Sequence, residues 1–285
     1  MVVKHTMENI LEDGIAKLVE WDFATANKSH EDRVKAVTTV ASICYQNDKA
    51  IGKESLYNRL EAEAHGLPSS SFEFVPVLLP EPTVVAVRKA VAESYKTPKV
   101  EKYGEWVEDG EFLLTNLRAL LADNTEYKKV YGTEIVNTFN TSDRELNIIR
   151  ENFRVYHFTA PLFVMRQVMR HRVNWQELSR RYVSRTRKDF KFYIKELPDK
   201  DKELDTYVKA HYNNSVILYD NLISIGWKPQ DARSVLPVAL YTEVWGAFQP
   251  SQLKNLIELR ADKATQNETR QFATTIKEWR YEPTT

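Results

Sequence analysis

The chain has 285 residues, 42% of them hydrophobic, and its 40 Lys and Arg balance 40 Asp and Glu. No apolar run approaches the roughly eighteen residues of a membrane-spanning helix, and a formal net charge of zero lacks the basic excess of a general nucleic-acid binder. A single cysteine, Cys44, excludes an internal disulfide framework and a multi-cysteine zinc site. The first residues, MVVKHTMENILEDG, carry no apolar signal segment, so a cytoplasmic protein is expected. The eight glycines form neither GxGxxG nor GxxxxGK[ST], so any phosphate must be held by side chains. The six histidines form no HxH or HExxH pair, and no metal is expected.

Apolar side chains three and four apart predict helices over 31–45 (EDRVKAVTTVASICY) and 53–64 (KESLYNRLEAEA), the second stopped by Gly66 and Pro68. SFEFVPVLLP then reads as a short strand. From 80 to 150 the pattern gives helical pieces, PTVVAVRKAVAES, GEFLLTNLRALLAD and SDRELNIIREN, joined by polar loops. NFRVYHF alternates as a strand, and Pro161 suits the first turn of a helix running to Arg172. KDFKFYI reads as another strand and 201–225 as a long helix ended by Gly226. LYTEVWGAF comes next as a strand, and Pro250 opens a final helix to about 279. The expected class is α+β, with mixed helices around a small, largely antiparallel sheet. No Gly/Ser-rich or Pro-rich linker divides the chain, so one domain over 1–285 with a large insertion is expected.

Charge is neutral overall but not locally. Between Arg166 and Lys191 stand nine Lys or Arg against two acids, Glu177 and Asp189. A charge run is ordinarily a solvated face. Here seven of the nine are arginine, whose planar fork suits phosphate or carboxylate, and they alternate with Gln167, His171, Asn174, Glu177 and Ser179. That variety suits a small polyvalent ligand better than a uniform polyanion. Arg170, His171 and Arg172 also fall at a helix C-terminus, where cations are favoured even without a ligand.

The segment RHRVNWQELSRRY (170–182) resembles the signature of the flavin-dependent thymidylate synthases: Arg-His-Arg, a spacer, then Ser with Arg-Tyr close behind. FRVYHFTAPLFVMRQVM before it, and DARSVLPVALYT (231–242) and NLIELRADKATQNETRQFA (255–273) after it, resemble further blocks of that family in order and spacing. The chain departs from the pattern in places. Six residues rather than the usual seven separate Arg172 from Ser179. Ala264 stands where many members have histidine and Gln249 where many have asparagine, while Ser69 to Ser71 replace part of a His/Glu-containing stretch. Residues from about 75 to 150 look like an insertion relative to compact members.

The resemblance implies the fold of the thymidylate synthase-complementing proteins and conversion of dUMP to dTMP. Methylenetetrahydrofolate would be the carbon donor, FAD the hydride source and NADPH its reductant. Ser179, Arg181 and Arg260 would hold the nucleotide, with Gln167 and Glu177 completing the pocket. Arg233 would lie beside the uracil and, with Ser179, nearest the chemistry. An arginine there can stabilise charge developing on the ring without a protein nucleophile. Arg170, His171 and Arg172 would meet the flavin and its phosphates, with Cys44 and Asn255 at flavin positions. Cys44 lies in VTTVASICYQ with no neighbouring Arg or His, so no thiolate role is expected. A homotetramer with active sites at subunit contacts is implied, and neither membrane nor nucleic acid is an expected partner. Two alternatives stay open: a single-stranded nucleic-acid-binding protein, using the basic run with Trp175, Tyr182 and Phe190, and a flavoprotein of this family that has lost thymidylate synthesis.

Overall fold

A computed structural model describes residues 4–10, 16–62, 67–95, 97–135, 142–181, 190–195, 198 and 201–281. Strands β1 (Lys4–Ile10) and β2 (Lys17–Asp22) open the chain and lead to helix α1 (His30–Tyr45). Ser29 caps α1 by accepting from the Asp32 amide at 3.0 Å, and Gln46, at φ 46°, ends it. Helix α2 (Glu54–Glu61) and a 3₁₀ turn over Ser70–Phe74 come next. A second unit comprises β3 (Pro76–Pro80), α3 (Glu81–Val91), α4 (Lys99–Lys102), β4 (Glu105–Val107), β5 (Phe112–Asn116) and α5 (Leu117–Tyr131). Helix α6 (Asp143–Asn152) starts with a capping box between Ser142 and Glu145. It feeds β6 (Arg154–Pro161), α7 (Leu162–Val168) and β7 (Asn174–Glu177). The chain closes with α8 (Lys202–Ser224), α9 (Pro229–Ala232), β8 (Tyr241–Phe248), α10 (Pro250–Arg260) and α11 (Asn267–Tyr281).

The fold is α+β with two antiparallel sheets. One has five strands in the order β1-β2-β6-β8-β7, the other three in the order β3-β5-β4. The large sheet is covered on both faces, because period-two alternation sends successive side chains of β6 to different cores. Val155 joins Trp245 and Ala247 in a core shared with α1 and the small sheet. Tyr156, Phe158 and Ala160 join Val164, Met165, Leu256 and Phe272 in a core under α7, α10 and α11. Each fully buried aromatic or leucine contributes roughly 1.5–3 kcal/mol.

At one position the sheet admits no side chain. A Cβ on Gly246 would stand 2.5 Å from Cζ3 of Trp175, its cross-strand partner, so the indole lies flat against bare backbone.

The small sheet is tied to the large one through the start of α10. Gln249 donates from Nε2 to the carbonyls of Tyr103 (2.9 Å) and Leu114 (3.3 Å). The Glu105 carboxylate accepts from the Ser251 amide at 3.1 Å and from its hydroxyl at 2.7 Å.

Several elements differ from the sequence reading. FLLTN in GEFLLTNLRALLAD is a strand with every residue buried, and helix begins only at Leu117. A continuous apolar run cannot separate a buried strand from a helix by periodicity. SFEFV is mostly 3₁₀ turn, with strand only from Pro76. The helix expected to reach Arg172 stops at Val168. The helix expected from 250 to 279 breaks after Arg260, where Asp262 Oδ1 accepts from the Ala264 amide at 2.7 Å and the Thr265 hydroxyl donates to the Leu259 carbonyl at 3.2 Å. Such local side-chain bonds compete with helix hydrogen bonding. Arg260 and Asn267 therefore lie on different helices. Of KDFKFYI, residues 188 and 189 lie outside the described residues, and the rest makes a lone bridge, Phe192 to Leu240. Gly66 also lies outside the described residues. Among the described residues, no helix is long and apolar enough to cross a membrane.

Candidate active site

The spacer of the Arg-His-Arg segment is itself a strand. After Met169 the chain reverses, closed by the Trp175 indole N–H donating to the His171 carbonyl at 2.9 Å, and β7 then pairs antiparallel with β8. Alternation sorts its side chains. Asn174 and Gln176 face α1 and the 3₁₀ turn: Asn174 donates to the Glu73 carbonyl (3.3 Å), Gln176 donates to Cys44 Sγ (2.7 Å) and accepts from the Ser70 hydroxyl (2.6 Å). Trp175 and Glu177 face α7.

Glu177 enters a cleft of about 610 Å³ between α7, the β7–β8 pair and the turn after α9, a size that suits a small organic ligand. Its charged lining is Arg166, Glu177, Arg180 and Arg233, over an apolar floor that includes Leu162 and Met169. Arg166, Leu162 and Met169 share this wall because they stand three and four apart along α7 and its C-cap. Burial pushes the Glu177 carboxyl above its ordinary value, opposed by a 3.1 Å hydrogen bond from the Thr242 hydroxyl and by the charges of Arg166, Arg233 and Arg180. Arg233 is exposed, its Nε donating to the Gln230 carbonyl at 3.2 Å.

A second cluster forms where α10 meets the turn after α7. Arg260 Nε donates to His171 Nε2 at 3.0 Å, and the Asn255 amide stands 3.4 Å from His171 Nδ1. Burial, then the charge of Arg260, lowers the His171 pKa, so the ring is held neutral. Arg170 and Arg172 flank it, both exposed, and the Arg172 carbonyl accepts from Gln252 Nε2 at 3.5 Å.

The structure thus gathers the expected residues into separate groups. Glu177 and Arg233 meet in the cleft, and His171, Asn255 and Arg260 meet beside α10. Cys44 is half-buried against the spacer strand, its thiol donating to the Glu177 carbonyl at 3.3 Å. Gln167 turns from the cleft to Gln266, with which it is hydrogen-bonded, and accepts from the Thr269 hydroxyl at 3.5 Å. Ser179 is half-buried and its hydroxyl accepts from the amide of exposed Arg181 at 3.4 Å. Tyr182 and the basic residues to 189 lie outside the described residues. The sequence counts Arg166 and Arg180 in its basic run without a role for either, and does not single out Thr242. The i, i+4 spacing of Leu162 and Arg166 could have placed the first, but nothing in the Arg180-Arg181 pair says which is buried. Among the described residues, no group of three His, Cys, Asp or Glu is placed to hold a metal.

The profile of the thymidylate synthase complementing protein family matches residues 135–282, more than half of the chain. The chain belongs to this family. Similar proteins include the flavin-dependent thymidylate synthase of Aquifex aeolicus, 34% identical over 142 residues, covering 45% of this chain and 45% of the relative. That of Thermotoga neapolitana is 35% identical over 144 residues, covering 45% of this chain and 64% of the relative. That of Streptomyces coelicolor is 25% identical over 136 residues, covering 41% and 55%. The chain spans less than two thirds of the length of each of these relatives. Both residue clusters, the cleft lining and the segment from α6 to α11 lie inside the stretch matched by the thymidylate synthase complementing family, whereas Cys44, Ser70 and Glu105 lie before it.

Proposed function

We propose that this chain converts dUMP to dTMP, with methylenetetrahydrofolate as carbon donor, FAD as hydride carrier and NADPH as the reductant. The observation that carries this reading is the cleft at the end of RHRVNWQELS, where Arg166, Arg180 and Arg233 surround one half-buried carboxylate, Glu177. Three guanidinium groups beside a carboxylate suit a phosphorylated, hydroxyl-bearing ligand, since Arg pairs with phosphate and a carboxylate accepts from hydroxyl or ring N–H.

Arg233, exposed at the cleft mouth, is the group that would face charge developing on a uracil ring. Ser179, Arg181, Gln167 and Arg260 would complete the nucleotide contacts. Within one chain Gln167 and Arg260 turn toward α11 and His171 rather than into the cleft, and this division supports a homotetramer whose sites combine residues of different subunits. The donor set around His171 fits a flavin: a neutral imidazole, the Asn255 amide and the exposed cations Arg170 and Arg172 offer a polar cradle for a planar ring and a diphosphate. When bound, reduced flavin supplies the hydride that turns the transferred carbon into a methyl group. Cys44, spent on hydrogen bonds to β7, stays outside the chemistry. We read the chain as one catalytic domain with 75–150 inserted, because the core under α1 runs without interruption into the small sheet.

The test is to add FAD, NADPH, dUMP and methylenetetrahydrofolate to the purified chain and assay dTMP. A protein that gains no flavin absorbance and makes no dTMP overturns the reading.

A further inference from the structure

One charged group in the cleft is unlike the others. Arg180 is 9% exposed, whereas Arg166 and Arg233 are open to solvent. Its Nη2 donates to the Tyr241 carbonyl at 3.1 Å, and its Cζ lies 4.9 Å from the centre of the Phe190 ring. Phe190 in turn meets Tyr219 of α8 edge-on at 5.0 Å. Among the described residues Nη1 of Arg180 has no hydrogen-bond partner, and no carboxylate stands within ion-pair distance of the guanidinium, Glu177 acting on it only across the cleft. A buried cation with an unspent N–H is costly, because desolvation is repaid only by an opposite charge and by filled hydrogen bonds.

The charge of the cleft says what would repay it. Arg166, Arg180 and Arg233 against Glu177, taken as ionised, leave two positive charges, and a phosphate monoester carries about two negative ones at neutral pH. Solvent and salt screen the two exposed arginines. The buried one interacts with an anion at lower dielectric and so discriminates most strongly between a charged and a neutral ligand.

We infer that Arg180 is the specificity-determining residue of the cleft, the group that selects a nucleoside monophosphate over the uncharged nucleoside by pairing with its phosphate. The nucleotide part of this inference rests on the thymidylate reading above; the anion part does not.

Calorimetric titration of the full chain with dUMP, deoxyuridine and inorganic phosphate tests it, for the wild type, Arg180→Gln and Arg180→Lys. In Arg180→Gln the affinities for dUMP and phosphate should fall by more than about tenfold, while deoxyuridine binding changes by less than about twofold. Arg180→Lys keeps the charge and loses the fork, and should give an intermediate loss for phosphate with deoxyuridine unchanged. If Arg180→Gln does not fold, the lysine variant decides alone. Unchanged dUMP and phosphate affinity, or an equal loss for dUMP and deoxyuridine, overturns the inference, the latter because it marks a packing role. Wild-type protein that binds phosphate through Arg180 but not dUMP refutes the thymidylate reading and leaves the anion role standing. Wild-type protein that makes dTMP while Arg180→Gln binds dUMP undiminished does the reverse.

Discussion

Arg260 donates from Nε to Nε2 of His171 at 3.0 Å, a cation serving as hydrogen-bond donor to a ring that must stay neutral to accept. With Nε2 accepting, the ring proton resides on Nδ1, and the Asn255 atom facing it is then best taken as the amide oxygen. The His171 pKa should accordingly lie below the ordinary value of 6.5, through burial first and Arg260 second. The unfolded chain binds its proton first as pH falls, so the stability contributed by neutral His171 is complete above about 6.5 and declines below it until the folded value is passed. An NMR titration that finds the midpoint depressed, and partly restored in Arg260→Gln, agrees. A midpoint at or above the ordinary value contradicts the pairing.

Glu177 should make anion binding pH-dependent. Its folded pKa is raised, burial being the chief cause, so on acidification it loses its charge before an ordinary carboxylate would. Sulfate affinity should therefore strengthen as pH falls through that raised value. Glu177→Gln should bind sulfate more tightly than wild type at mildly alkaline pH and lose this dependence. A flat wild-type profile would place Glu177 away from the anion.

Arg181→Ala and Arg260→Ala should each weaken dUMP binding by about 1.5–3 kcal/mol, more than tenfold, if each removes a charge-assisted contact. Only the second should also move the His171 midpoint, because only Arg260 is bonded to that ring. Two unchanged dUMP titrations would refute both assignments.

The single thiol and Arg233 separate two chemistries. A thiolate nucleophile needs an electropositive, accessible setting, yet Cys44 is half-buried and hydrogen-bonded to Gln176 and the Glu177 carbonyl. Cys44→Ser should keep substantial dTMP formation. Arg233→Ala should lose roughly a hundredfold or more in turnover, as for other lost oxyanion-type donors. The opposite pair of results at saturating FAD and dUMP would assign the mechanism to the cysteine.

Gly246→Ala should destabilise the fold by about 1–3 kcal/mol, the usual cost of overpacking, since its methyl group would collide with the Trp175 ring. Because Trp175 also closes the turn at His171, thermal unfolding should be accompanied by weaker flavin retention at a temperature where the variant is folded. Wild-type Tm in this variant would show that the indole can move aside freely.

Much of this architecture was legible in the residues. Apolar spacing located α1, α8 and the start of α10, and the alternation of NFRVYHF located β6, whose successive side chains enter two different cores. The Arg-His-Arg segment pointed to the region where both clusters lie. The features that stayed hidden depend on partners distant in sequence. The spacer VNWQEL looks like a loop until β8 supplies its ladder, and FLLTN looks helical until β3 and β4 flank it. The directions of Gln167 and Arg166, neighbours on one helix, are set by α11 and by the cleft. The burial of Arg180 beside exposed Arg181 is set by Tyr241 and Phe190.

The carboxylate of Glu105 sits on the first turn of α10, and Gln249 just before that helix is anchored to the backbone of the small sheet. Glu105 precedes the stretch shared with the family, while α10, which carries Asn255 and Arg260, lies within it. A fragment cut at the boundary of that similarity would strip the first turn of α10 of the Glu105 carboxylate and free the Gln249 side-chain amide from its two carbonyls, leaving the reciprocal Gln249–Gln252 cap as the local support of the helix that carries Asn255 and Arg260. Shared ancestry and mechanical independence are thus separate matters: a mutation at Glu105, outside the shared stretch, should be felt at the His171 cluster through the start of α10.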